Sequence, residues 1–171
     1  TADGKIVKIE ARFVMDGGAY VTLSPVVLSR GALHATGPYT CPNVRVRAAV
    51  VATTTPPNGA FRGFGAPQTL FAAELQMERI AARLGIDPLV VRQRNMVTRG
   101  AVLATGQVLR TSVGAKKVLD SVVTQSAYRA TRRAYAKWNA DPAHPTWRGL
   151  GLALVFHGSG FTGRGEVMLA S

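Results

Sequence analysis

At Pro67 the hydrophobic period of this chain changes from two to about 3.6, and that change limits the fold more than any other feature. Upstream, Lys5-Ile-Val-Lys-Ile-Glu-Ala-Arg-Phe-Val-Met15 alternates apolar and polar residues, the pattern of a half-buried strand, and runs into an Asp16-Gly-Gly turn. Asn43 to Thr54 repeats the pattern between Pro42 and Pro56-Pro57, residues that cannot donate to a central ladder. Ser24 to Pro42 carries mixed signals and reads as a loop with a short helix at Val26 to Ala35. Downstream, Leu70, Ala73, Met77, Ile80, Ala81 and Leu84 fall on one helical face, with Pro67 suited to the first turn and Gly85 to the C-terminal cap. Asp87-Pro88 opens a second, short helix that runs to Asn95. Gly100 to Gly114 reads as a loop with a short extended piece at Gln107 to Arg110, and Ala115 to Trp138 as one or two helices. Asp141 to Pro145 is a connector, and Arg148 to Phe156 has strand character. Strands and helices come in blocks without regular helical crossovers. The expected class is therefore α+β, with mixed or antiparallel strands and packed helices.

The 171 residues are 47% hydrophobic and 18% charged, which excludes a disordered chain and fits one domain over 1–171. No run reaches the roughly 18 apolar residues that a membrane span needs. The single cysteine, Cys41, closes no intrachain disulfide and so favours a reducing, cytoplasmic setting. Against this ordinary background stands a charge of +12, from 21 Lys and Arg and 9 Asp and Glu. Taken alone, it points to a basic, non-enzymatic module for nucleic acid or another polyanion. The basic residues are scattered through apolar segments, however, and pair up only at Lys116-Lys117 and Arg132-Arg133. Aromatics for base stacking make up only 7% of the chain. Solvated faces, or a piece of a larger polypeptide whose other parts carry balancing acids, explain the excess as well. Thr1 opens in a strand-like run and Ser171 closes in another, so both ends are expected to be truncated, with 157–171 leading into a next subdomain.

Two glycine-rich segments are candidates for chemistry. In Pro56-Pro-Asn-Gly-Ala-Phe-Arg-Gly-Phe-Gly-Ala-Pro-Gln68, glycines 59, 63 and 65 permit positive φ and close approach of backbone N–H groups to a ligand at a helix N-terminus. Arg62 can fork onto a phosphate or polar ring, and Phe61 and Phe64 offer flat apolar faces. A tight turn with one aromatic in the core accounts for the same composition equally well. The second segment is His157-Gly-Ser-Gly-Phe-Thr-Gly-Arg-Gly-Glu166. His157 has no second His, Cys or carboxylate pair at ligand spacing, so no metal site is expected. Ser159 lacks triad partners in a recognisable order, and Glu166 reads as a solvated turn residue.

Ala60-Phe-Arg-Gly-Phe-Gly-Ala-Pro-Gln68, with Gly37-Pro-Tyr-Thr-Cys-Pro-Asn43, Leu84-Gly-Ile-Asp-Pro-Leu89, Arg94-Asn-Met96, Thr105-Gly-Gln107 and His157-Gly-Ser-Gly-Phe-Thr-Gly163, resembles the molybdenum-binding large subunit of the xanthine dehydrogenase and aldehyde oxidase family. The matches are collinear over essentially the whole chain. The resemblance implies that family's molybdopterin-binding domain fold. It places Arg62, Phe61 and Gly63 at the molybdopterin cofactor, and Phe64, Phe161, Thr162 and Arg30 at a small-molecule substrate, a heterocycle or aldehyde that is hydroxylated. The family's glutamate base lies in a Gly-Val-Gly-Glu-like segment that this chain lacks, and a Gly-Gly-Phe-Gly-Gly cofactor segment is absent too. No catalytic residue is therefore expected in this chain. The resemblance further implies an internal fragment, inactive alone, that works with the rest of the large subunit and with iron–sulfur and FAD subunits or domains, without nucleic acid.

Overall fold

The computed structural model describes residues 1–158. Its elements run β1 (Ile9–Gly18), α1 (Ser24–His34), β2 (Val44–Ala52), α2 (Ala66–Leu84), α3 (Pro88–Asn95), α4 (Ala115–Gln125) and α5 (Tyr128–Ala140). The α+β class stands, but the sense of the sheet differs from expectation. β1 and β2 pair in parallel, in register from Ile9↔Val44 to Asp16↔Val51, with an irregularity between Asp16 and Gly18. A parallel pair needs a connection that carries the chain back to its starting end. The segment read as a loop with a short helix is that crossover, and Pro25 starts α1 earlier than the apolar pattern did. Among the described residues, antiparallel pairing is confined to isolated bridges at Tyr39↔Met96 and Val102↔Val108.

Alternation in β1 turns Ile9, Ala11, Phe13 and Met15 inward while Glu10, Arg12, Val14 and Asp16 stay exposed, and in β2 it holds over residues 44–47 and lapses at Ala48. In α2, the expected stripe buries Leu70, Met77 and Ala81, whereas Leu84 at its end is exposed. Gly85 caps the helix in the left-handed region at φ 64°. The Asp87 carboxylate caps α3 by accepting from Leu89 N at 2.8 Å. Ala115 onward forms two helices, separated where Ala127 takes φ 47°.

The core gathers Tyr39, Met77, Leu89, Val91, Leu119 and Leu154 around one buried carboxylate. Glu74 sits within the apolar stripe of α2 and is 7% exposed. Its Oε2 accepts from Arg92 Nε at 2.9 Å and from Leu154 N at 2.8 Å, and its Oε1 accepts from the Tyr39 hydroxyl. Arg92, with no exposed surface, also reaches Glu78 at 2.9 Å and Pro88 O at 3.1 Å. Burial, together with the Glu74 carboxylate, pushes the Tyr39 phenol well above its usual range. Burial alone would lower the Arg92 guanidinium, but Glu74, Tyr39 and Glu78 together outweigh it and hold the charge in place. Leu154 spends its N–H on Glu74, and residues 148–156, expected as a strand, form none.

Candidate functional site

The end of β1 holds the glycine-rich loop in place. Asp16 accepts from Thr53 Oγ1 at 2.5 Å, Gly18 N at 2.9 Å and Thr55 Oγ1 at 2.9 Å. These donors, the Thr53 hydroxyl foremost, keep its carboxyl below the usual carboxylate range. Asn58 continues the anchor: its side-chain amide donates to Asp16 O at 3.1 Å, and its carbonyl accepts from Ser24 Oγ at 2.8 Å. The loop then turns through three successive positive φ values, 96° at Gly63, 50° at Phe64 and 89° at Gly65. At Gly65 the turn meets α1 so closely that a Cβ would lie 2.3 Å from Val27 O. Only glycine satisfies both the conformation and the space.

This turn leaves several donors facing outward. The N–H groups of Phe64 and Ala66 close on Phe61 O and Gly63 O at 2.9 and 3.1 Å. Among the described residues, the N–H groups of Arg62, Gly63 and Gly65 find no acceptor, and the exposed Arg62 guanidinium has no ion pair. Phe61 is 78% exposed and lies over a cavity of about 260 Å³ that Phe13, Val27, Gly31 and Gly65 also line. Backbone donors in a glycine turn, beside a free guanidinium, form a cradle for an anionic group.

Phe64 points to the other side, half-buried beneath Arg30. The Arg30 guanidinium carbon lies 5.9 Å from the Phe64 ring centroid, and Arg30 itself is 7% exposed on α1. Its Nη1 is 3.4 Å from His157 Nε2, which is also 3.4 Å from Gly63 O. The structure thus brings Arg30, Phe64 and Gly63 together with His157, while Arg62 and Phe61 occupy the outer side of the same turn. Phe161 and Thr162, together with Ser159 and Glu166, lie outside the described residues. No group of three or more His, Cys, Asp or Glu able to hold a metal exists among the described residues.

Residue spacing had not pointed to His34, which is buried one turn after Arg30, nor to the Glu74–Arg92 pair. The i, i+4 spacing of Arg30 and His34 was a readable signal for the first. A glutamate inside the apolar stripe, between Leu70 and Met77, was the signal for the second.

A parallel strand pair crossed by a helix, with a glycine turn whose backbone donors have no acceptor among the described residues, is an arrangement suited to holding an anionic cofactor. The chain belongs to the molybdopterin cofactor-binding domain family, whose profile its residues 1–96 match. It is 43% identical over 136 residues to the nicotinate dehydrogenase large molybdopterin subunit of Eubacterium barkeri, covering 77% of this chain and 32% of that protein. It is 34% identical over 155 residues to the xanthine dehydrogenase of Oryza sativa subsp. japonica, covering 91% of this chain and 11% of that protein. The crystal structure of quinoline 2-oxidoreductase from Pseudomonas putida 86 superimposes with a TM-score of 0.73 at 30% identity, over 81% of this chain and 18% of that one. The chain thus spans at most about a third of the length of these relatives. These matches support the cofactor-binding reading and lend nothing to a nucleic-acid module. No helix among the described residues is long and apolar enough to cross a membrane.

Proposed function

We propose that this chain forms part of the cofactor- and substrate-facing wall of a cytoplasmic molybdenum hydroxylase, with Arg62, Phe61 and Gly63 toward molybdopterin and Arg30 and Phe64 toward the substrate. Phe161 and Thr162 complete the substrate side in this reading. The observation that carries it is the loop itself: a guanidinium and three N–H groups without partners inside the described chain, next to a buried arginine laid over an aromatic ring. The donor set fits an anionic cofactor, since a rigid glycine turn presents N–H groups without reorganisation. When bound, molybdopterin with its metal supplies the oxidation chemistry, and iron–sulfur and FAD parts elsewhere pass the electrons on.

The protein's own residues bind and orient. Phe64 offers its face to a planar ring, and Arg30 offers a positive charge held in place by packing to a carbonyl, carboxylate or ring nitrogen at the ring edge. Nicotinate, xanthine and quinoline, named in the relatives above, are planar nitrogen heterocycles of the kind that a ring face beside a cation accommodates, and an aldehyde carbonyl suits the same cation. The base that would move a proton belongs to the remainder of the large subunit, so the chain by itself does not turn over substrate.

Full-length enzyme carrying Arg62→Ala tests the cofactor half. It is expected to purify with molybdenum and pterin reduced at least about tenfold, the scale of losing a charge-assisted contact. Unchanged molybdenum content would reject the assignment. Arg30→Met tests the substrate half: a KM for xanthine, nicotinate or quinoline equal to wild type would remove Arg30 from the site.

A further inference from the structure

We infer that His34 is a positioning residue: a neutral imidazole, protonated at Nδ1, that ties the Arg30 turn of α1 to residues 156–158 and so sets the separation of two walls of the substrate pocket. The inference rests on the assignment of Arg30 to the substrate side.

His34 is 3% exposed, and both ring nitrogens meet groups of fixed polarity. Nδ1 lies 2.8 Å from Arg30 O, and a carbonyl only accepts, so Nδ1 carries the proton. Nε2 lies 3.3 Å from Gly158 N, and an amide N–H only donates, so Nε2 offers its lone pair. One neutral tautomer satisfies both contacts, and an imidazolium would set N–H against N–H. The first contact is internal to α1, one helical turn back. It fixes the ring plane and thereby aims Nε2 at the neighbouring segment.

That segment is arranged around the ring. The Phe156 ring lies 5.1 Å from the His34 centroid at 32°, and the His157 ring lies 5.4 Å away at 28°. His157 then reaches back to the Arg30 guanidinium at 3.4 Å. Backbone and side chain of Arg30 are therefore joined through His34 and His157 in a closed circuit. Shifting one member moves the charged end of Arg30 relative to Phe64.

Two substitutions in full-length, cofactor-loaded enzyme separate the two bonds. His34→Asn keeps a donor at the Nδ1 position and loses the acceptor for Gly158. His34→Gln keeps an acceptor at the Nε2 position and loses the tie to Arg30 O. Hydrogen exchange at the Gly158 amide is read beside KM for xanthine, nicotinate or quinoline and beside molybdenum content. In His34→Asn, exchange at Gly158 is expected to rise about tenfold and KM to rise about tenfold, with molybdenum retained, while His34→Gln restores both most of the way. Wild-type exchange in His34→Asn overturns the bridge. Faster exchange without a change in KM overturns the positioning role, and so does equal behaviour of the two variants. Failure of the Arg30 assignment is distinguishable, because Arg30→Met would then leave KM unchanged while the exchange result stands. Should His34→Asn not fold, His34→Gln decides alone: wild-type exchange at Gly158 supports the bridge, and exchange raised about tenfold overturns it.

Discussion

Two polar regions border the N-terminal half of α2, and they are finished differently. Around Glu74 the contacts close inside the chain: Tyr39, Arg92 and Leu154 donate to its carboxylate, and Glu78, Pro88 O and Glu74 O take up the rest of the Arg92 guanidinium. Among the described residues no buried side-chain nitrogen or oxygen lacks a partner. In the 62–65 turn the opposite holds, with Arg62 exposed and backbone donors unused. Polar groups that close on one another hold a fold together. Polar groups left open do not contribute to it in that way.

The sharpest way to break this contrast is Glu74→Ala. It leaves Arg92 with Glu78 as its one carboxylate partner and strands the Tyr39 hydroxyl and the Leu154 N–H in the core, and should cost about 3 kcal/mol in chemical denaturation. A loss below about 1 kcal/mol would show that the hub is not holding the fold. Gly65→Ala comes next. Its Cβ would meet Val27 O at 2.3 Å with φ at 89°, so a loss of roughly 2–3 kcal/mol is expected, against about 1 for Gly100→Ala, whose Cβ meets nothing within 4 Å at φ 87°. Equal losses would mean that the turn yields and does not press on α1.

Alkaline pH probes the hub without mutation. The Tyr39 phenol is raised above its usual value of 10.0. Its stabilising effect is therefore complete below that pH and is lost above it, where the unfolded chain releases the proton and the folded one does not. Stability should fall by about 1.4 kcal/mol per pH unit from this group, and Tyr39→Phe should remove that part of the slope. An unaltered slope in Tyr39→Phe would refute the coupling. The smallest effect is expected at the open turn, where Arg62→Ala should change unfolding free energy by no more than about 0.5 kcal/mol. A larger loss would place Arg62 among the residues that hold the fold.

The sequence made the helices legible because their punctuation is chemical. Pro67, Gly85 and Asp87-Pro88 mark ends that the structure keeps, and the alternation survives as inward and outward faces in β1 and in the first half of β2. Strand pairing was less legible. Alternation says which face is buried but carries nothing about direction, so the parallel sense emerged only with the full extent of α1. Arg62, Phe64 and Arg30 were singled out by resemblance alone, and the structure places Arg30 over Phe64 and leaves Arg62 exposed. Glu74 and His34 were missed because a polar residue on an apolar face reads as noise until its partners, far off in sequence, come into place.

The parallel pairing of β1 and β2 also bears on the order in which the chain folds. Ile9 cannot meet Val44 until everything between them has been looped out, and the entropy of closing that loop is lost before any ladder bond forms. α1 lies wholly inside the loop and is the natural way to shorten it. Forming the helix that carries Arg30 and His34 first would lower the entropy lost when the strands meet. A substitution that weakens α1 should therefore slow folding as well as disturb the contact of Arg30 with Phe64, linking the rate of assembly to the turn of helix that carries Arg30.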